Sequence, residues 1–165
     1  MIIRLKNGTT KEIIYNEKQL YNYGLNRLNT REFSRQELLT KMKNLQPDLD
    51  IVNKVLDLLE SKDYLSDIRR AKSIFSQYQN KESINKIKQR LFLKGVKKDV
   101  VEDLIENLNE HNPTNVAIKL LIKKFKIYDS TVYDKMVRHL ASKGYQYTDI
   151  SKAIKLFKEG EEDDE

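Results

Sequence analysis

Sliding the 165-residue chain against itself by 49 residues brings Lys94-Gly95 onto Lys143-Gly144. The same shift carries Ile87 onto Met136, Leu91 onto Leu140, Val101 onto Ile150, Leu104 onto Ala153, Ile105 onto Ile154 and Leu108 onto Phe157. In the other direction it aligns Leu38, Met42, Val52, Val55, Leu56 and Leu59 with them, so that six positions are apolar in all three copies. One alignment of apolar residues is cheap, but a single offset that holds twice points to a tandem repeat, and a fixed period decides the fold before any local signal is read.

Within a copy the apolar spacing is helical. Val101, Leu104, Ile105 and Leu108 follow i, i+3, i+4, i+7 and fall on one face. Each copy supplies a shorter helix, near 34–45, 83–94 and 132–143, and a second near 50–61, 99–110 and 148–158. Ser34-Arg35-Gln36-Glu37 is a capping-box pattern, and Asp99 offers an acidic cap to the helix after it. Lys94-Gly95 and Lys143-Gly144 end a helix with a cation and a residue tolerant of positive φ, where the first copy has Leu45-Gln46-Pro47. A further helical stretch precedes each pair, at Leu20 to Leu28, Ile68 to Tyr78 and Val116 to Phe125, with Pro113 breaking the junction before the last.

The expected fold is therefore all-α: three tandem three-helix modules, helix-turn-helix-like repeats of about 49 residues, stacked into an elongated, curved array. The modules span 19–65, 66–112 and 113–158. Residues 1–18 form an N-terminal extension in which Ile3 and Leu5 before Asn7-Gly8, and Ile13 and Tyr15 after it, make either a short hairpin or a frayed end. Residues 159–165 are an acidic tail.

The formal charge of +6 conceals an asymmetry, because six of the 25 acids lie in that tail. The 31 basic residues then face 19 acids over residues 1–158, a body at +12. Such a body is attracted to polyanions, and nucleic acid is the commonest one in a cytosol, although lysines that merely solvate helix faces give the same count. No cysteine is present, which removes disulfides and thiolate metal sites. No signal peptide and no uncharged run of membrane-spanning length is visible, so the expected location is cytoplasmic.

Patterns that carry chemistry are missing. His111 and His139 lie in different modules, so no metal is expected. The five glycines never cluster into a phosphate loop, and no Gly-x-Ser-x-Gly occurs. Asn7-Gly8-Thr9 matches a glycosylation sequon but reads better as a turn. No enzyme activity and no cofactor are expected. Phe75, Phe125 and Phe157 sit at core-facing positions, whereas Tyr145 and Tyr147, between the last two helices, are free to meet a partner.

The residues at the module junctions resemble those of the RecX family, regulators of the RecA recombinase. Tyr64-Leu65-Ser66-Asp67 leading into Ala71 is similar to the segment opening that family's second module. Ile84 to Val96, with Ile87, Leu91 and Lys94-Gly95-Val96, resembles the helix that follows. Lys143-Gly144-Tyr145 with Ile150 and Ala153-Ile154 resembles the closing segment, and Leu25, Leu28, Arg31, Ser34, Glu37 and Leu38 match the first module's pattern. The resemblance covers 20–158. The chain departs from it in lacking Lys-Gly in the first module, in Gly24 where alanine is commoner, which weakens a helix interior by about 1 kcal/mol, and in the acidic tail.

The resemblance implies a monomer that binds RecA filaments on single-stranded DNA, inhibits ATP hydrolysis and strand exchange, and so restrains recombination and the SOS response. Candidate contacts with filament or DNA, chosen off the apolar stripes or at helix junctions, are Arg31, Arg35, Lys88, Arg90, Lys94, Lys97, Lys98, Lys123, Lys124, Lys126, Arg138 and Lys143, with Tyr145 and Tyr147. Two other readings stay open: a free-standing helical DNA- or RNA-binding protein, and a helical-repeat scaffold for other proteins.

Overall fold

A computed structural model describes residues 2–4, 10–12, 15–45, 47–108, 112–125 and 127–162. Gln46, Asn7-Gly8-Thr9, Leu5, Ile13, His111, Lys126 and the last three acids lie outside these. The described residues open with an antiparallel pair, β1 (Ile2–Arg4) and β2 (Thr10–Glu12), in the register Ile2 with Glu12 and Arg4 with Thr10. Nine helices follow among the described residues: α1 (Glu17–Leu28), α2 (Arg35–Lys43), α3 (Leu49–Ser61), α4 (Asp67–Tyr78), α5 (Ile84–Leu93), α6 (Lys98–Glu106), α7 (Pro113–Lys124), α8 (Tyr133–Ser142) and α9 (Tyr147–Glu162), with a short 3-10 turn at Ser130–Val132 before α8.

The caps explain most boundaries. Ser34 accepts from the Glu37 N–H while the Glu37 carboxylate accepts from the Ser34 N–H, the expected capping box, and Asn16 and Gln19 make a second one at α1. Asn112 caps α7, and Pro113 occupies the first helical position, where its missing N–H costs nothing. Two expectations need correction. Asp99 lies inside the first turn of α6 rather than at its cap, where its charge still suits the free N–H groups. Helix α6 stops at Glu106 instead of near 110, and Asn107 beyond it bonds to the Asp103 carbonyl through both its backbone N–H and its side-chain amide. At the other end α9 runs on to Glu162, so the acidic stretch begins within a helix.

Two compact units divide the chain, residues 1–73 with 92–101 and residues 74–91 with 102–165, and the boundary passes through α4, α5 and α6. In the first unit α1 and α2 pack on α3. Leu20, Leu38, Met42, Val52, Val55, Leu56 and Leu59 are fully buried there, joined by Phe33 and Leu65. In the second unit α7 and α8 pack on α9 around Ala117, Leu121, Met136, Leu140, Ile150, Ala153, Ile154 and Phe157. Each such leucine or valine side chain contributes roughly 1.5 to 3 kcal/mol by leaving water. All six repeated positions are thus buried in the first and third copies. In the middle copy Ile87, Leu91 and Val101 are buried, while Leu104, Ile105 and Leu108 are half-buried.

Gly24 has a packing reason. A Cβ there would lie 2.7 Å from Leu59 Cδ1 and 3.0 Å from Met42 Cε, so the missing side chain lets α1 approach α3. Gly24→Ala is expected to lower stability by about 1 kcal/mol, since the crowding outweighs the gain in helix propensity. Urea denaturation checks this, and a stabilised variant would overturn the packing account.

Candidate functional site

The recurring shorter helix is built to be gripped at both ends. At Gly95 the backbone turns into the left-handed region (φ +68°), which ends α5 and points its last carbonyls away from the helix. The Ser34 hydroxyl, itself fully buried at the start of α2, donates to the Lys94 carbonyl. Gly95 sits so close to α2 that a Cβ would meet Gln36 Cβ at 2.4 Å. Forty-nine residues later the second unit repeats the arrangement. Gly144 has φ +86°, the Ser83 hydroxyl donates to the Gly144 carbonyl at 2.6 Å, and the Ser83 N–H donates to the Lys143 carbonyl at 3.0 Å. Lys86 donates to the Ser142 carbonyl, giving a cation to the dipole at the end of α8. In each unit, therefore, a glycine-ended helix terminus docks on the start of the helix that lies 49 residues earlier in the chain. The third copy has Val132 in place of the serine and makes no side-chain cap bond.

Charge is concentrated at the first of these joints. Arg70 of α4 grips Glu37 through two bonds of 2.9 and 3.2 Å, and both side chains are nearly buried. Arg31 adds a contact at 3.3 Å while stacking over the Phe33 ring at 3.6 Å, and Lys94 Nζ stands 3.9 Å away. Burial alone would raise the Glu37 pKa, but the bonds from Arg70, the Ser34 N–H and Arg31 outweigh it and hold the carboxyl below its ordinary value. Asp67, also buried, accepts from the Arg35 N–H at 2.8 Å and the Lys97 N–H at 3.3 Å, tying the starts of α2 and α4 to the loop before α6.

Beside this joint, α2 and the end of α5 enclose an open groove of about 500 Å³, with Arg31, Gln36, Glu37, Lys41, Phe92, Leu93 and Lys94 among its walls. Phe92 is 48% and Leu93 84% exposed. Neither was among the candidate contacts. The signal that could have found them is their position: the 49-residue offset places Lys43-Asn44 and Ala141-Ser142 at the same sites.

The structure separates the candidate cations. Arg35 bonds to Glu60 at 2.5 Å and Asp57 at 2.7 Å, and Arg90 holds Glu82 at 2.6 Å while lying 4.2 Å over the Tyr78 ring, so both serve internal ion pairs. The bond to Arg90 is the main reason the Glu82 pKa falls below its ordinary value. Arg31 is shared between Glu37 and the groove. Lys94, Lys97, Lys98, Lys123, Lys124 and Arg138 are exposed, and Lys88 and Lys143 are half-buried. Lys124 Nζ lies 3.1 Å from His139 Nδ1, and burial, with Lys124 and Lys143, pushes that imidazole below its ordinary pKa. Among the described residues no group of three or more His, Asp or Glu could hold a metal.

One expectation is overturned. Tyr145 does not face a partner: it is 5% exposed within the second unit's core, its hydroxyl has no hydrogen-bond partner among the described residues, and burial pushes the phenol up to about 12. Its N–H bonds to the Leu140 carbonyl and the Gly144 N–H to the Ala141 carbonyl. This is the glycine-ended motif in which the residue after the glycine packs back on the helix. Tyr147 is 67% exposed, with a hydrogen bond to Tyr133 that raises the Tyr133 pKa.

Among the described residues these features define a helical protein with a glycine-ended helix joint in each of its two units. No family model matches the sequence. The regulatory protein RecX of Clostridium botulinum (strain Eklund 17B / Type B) is 32% identical over 114 residues, 66% of this chain and 54% of that protein. That of Clostridioides difficile (strain 630) is 27% identical over 139 residues, 81% of this chain and 65% of its own length. The matched stretch thus spans between half and two thirds of these relatives. The crystal structure of RecX from Lactobacillus salivarius superposes with a TM-score of 0.72 at 21% identity, covering 86% of this chain and 96% of that one, and so shares the fold. The chain belongs to the RecX family.

Proposed function

We propose that the protein is a regulator of the RecA recombinase, binding RecA filaments on single-stranded DNA and suppressing their ATP hydrolysis and strand exchange. The observation that carries this reading is the match in sequence to regulatory RecX proteins, supported by the shared fold. The charge agrees with it. Lys97 and Lys98 in the first unit, and Lys123, Lys124 and Arg138 in the second, are exposed cations suited to the phosphates of a DNA-bearing filament. Arg35 and Arg90 each pair with carboxylates of the chain itself, which favours the other cations as principal contacts in this reading.

The test is a titration of purified protein into RecA filaments on single-stranded DNA while ATP hydrolysis is followed. Inhibition at substoichiometric amounts is expected, with much weaker binding to bare strands. No effect up to saturation would refute the reading. Tight, steeply salt-dependent binding to bare DNA, unaltered by RecA, would assign the chain to free-standing nucleic-acid binders instead. Changing Lys123 and Lys124 together to Gln should reduce the salt slope of filament binding by about two. An unchanged slope would remove those lysines from the interface.

A further inference from the structure

We propose that the groove between α2 and the end of α5 docks an acidic protein segment bearing a bulky apolar side chain. Phe92 and Leu93 would cover that side chain, and Arg31, Lys41 and Lys94 would receive its carboxylates. Single exposed leucines are ordinary. Here two adjacent large apolar residues stand at one helix end beside a formed groove, where the same position of the other copies carries Lys43-Asn44 and Ala141-Ser142. Folding does not require them, because the equivalent helix α8 ends in the same glycine turn with small residues there.

The charge selects the occupant. Three cations line the groove, and its one acid, Glu37, is matched from beneath by Arg70, which is not part of the wall. The lining is therefore net positive around an apolar pair. A nucleic acid would satisfy the cations but leave Leu93 uncovered by its phosphates. A segment with carboxylates flanking an apolar side chain satisfies both, in the manner of amphipathic recognition, where a buried anchor supplies affinity and the charged rim supplies orientation. The proposal rests on the filament reading only in taking the partner to be a protein of the filament.

The experiment uses the full chain and a fluorescein-labelled twelve-residue peptide of Glu and Asp around a central Leu-Phe pair. Controls carry Lys for the acids, or Ala for Leu-Phe. The wild type should bind the acidic apolar peptide at low salt and neither control. The double variant Phe92→Ala, Leu93→Ser, which copies Ala141-Ser142, should bind at least tenfold more weakly with an unchanged thermal midpoint. Should that variant fold poorly, Lys94→Glu, at an exposed site, is expected to weaken the peptide to a similar degree. Equal binding by wild type and variants, or none by the wild type, overturns the proposal. So does a dimer, detected by sedimentation, that only the double variant abolishes, because the occupant is then a second copy. The filament assay separates the two readings. A wild type that inhibits hydrolysis alongside an equally inhibitory double variant sinks the docking site alone, whereas a wild type that does not inhibit sinks the filament reading and leaves the groove to the peptide assay. Loss of bare-DNA binding in parallel with the peptide would assign the groove to nucleic acid and overturn the proposal.

Discussion

Replacing Glu37 by alanine is expected to lower stability by about 3 to 5 kcal/mol, the cost of leaving a nearly buried guanidinium without its counter-charge. The loss falls on several contacts together. The carboxylate closes the capping box of α2, binds Arg70 of α4 through both oxygens and meets Arg31 at the groove. Glu37→Gln keeps the cap bond and should cost less. Changing Glu37 to Leu and Arg70 to Met together should recover much of the deficit, because no charge is then stranded. Urea denaturation checks the series, and an alanine variant within about 0.5 kcal/mol of wild type would show the pair to be a surface ornament. The pH dependence has a definite sign. Since the folded pKa lies below the ordinary 4.5, this contribution is complete above that value and is lost as pH falls through the lower folded pKa. Wild type should therefore lose stability on acidification more steeply than Glu37→Ala.

The helices and much of the core could be read from the chain because periodicity is a local property. Val52, Val55, Leu56 and Leu59 share a face whatever they pack against, and the structure buries all four. The Ser34-Glu37 cap lies within four residues and was equally legible. Ion pairing was not. Arg35 and Arg90 lie off the apolar stripes, but an off-stripe position faces either solvent or a neighbouring helix, and their partners Glu60 and Glu82 are fixed only by tertiary packing. The joint was half visible. The offset aligns Ser34 with Ser83 and Lys94-Gly95 with Lys143-Gly144, yet no single-chain pattern says that the serine of one copy meets the glycine turn of the next.

Tyr145 shows a signal that was present and outweighed. The offset aligns it with Val96, an apolar residue that is also buried, and both follow the glycine that ends a helix. In such a turn the residue after the glycine returns to the helix and packs near its last buried position, here Leu140. The hydroxyl drew the residue toward a binding role, whereas the ring carries the energetics. A buried phenol with no partner among the described residues is costly, and burial, with the Asp149 charge, pushes its pKa up to about 12.

Gly95→Ala and Gly144→Ala are each expected to cost about 2 to 5 kcal/mol, from two separable causes. A side chain in the left-handed region costs about 1 to 2 kcal/mol by itself, and overpacking at a close contact costs about 1 to 3 kcal/mol more. At Gly95 the new methyl would lie 2.4 Å from Gln36 Cβ and 2.6 Å from its Cγ, atoms too near the backbone of α2 to swing away. At Gly144 it would meet Ser83 Oγ at 2.7 Å and Lys86 Cβ at 2.8 Å. A double-mutant cycle separates strain from crowding. Gln36→Gly alone weakens α2 by about 1 kcal/mol, but added to Gly95→Ala it removes the atoms that the methyl strikes, so the pair should cost at least about 1 kcal/mol less than the sum of the singles. Strict additivity would mean that the glycine serves only its own turn. Positive coupling would mean that it is required for the end of α5 to seat on α2, and Ser83→Ala combined with Gly144→Ala should then show coupling of the same sign but smaller, since it removes only one of the two atoms in the way.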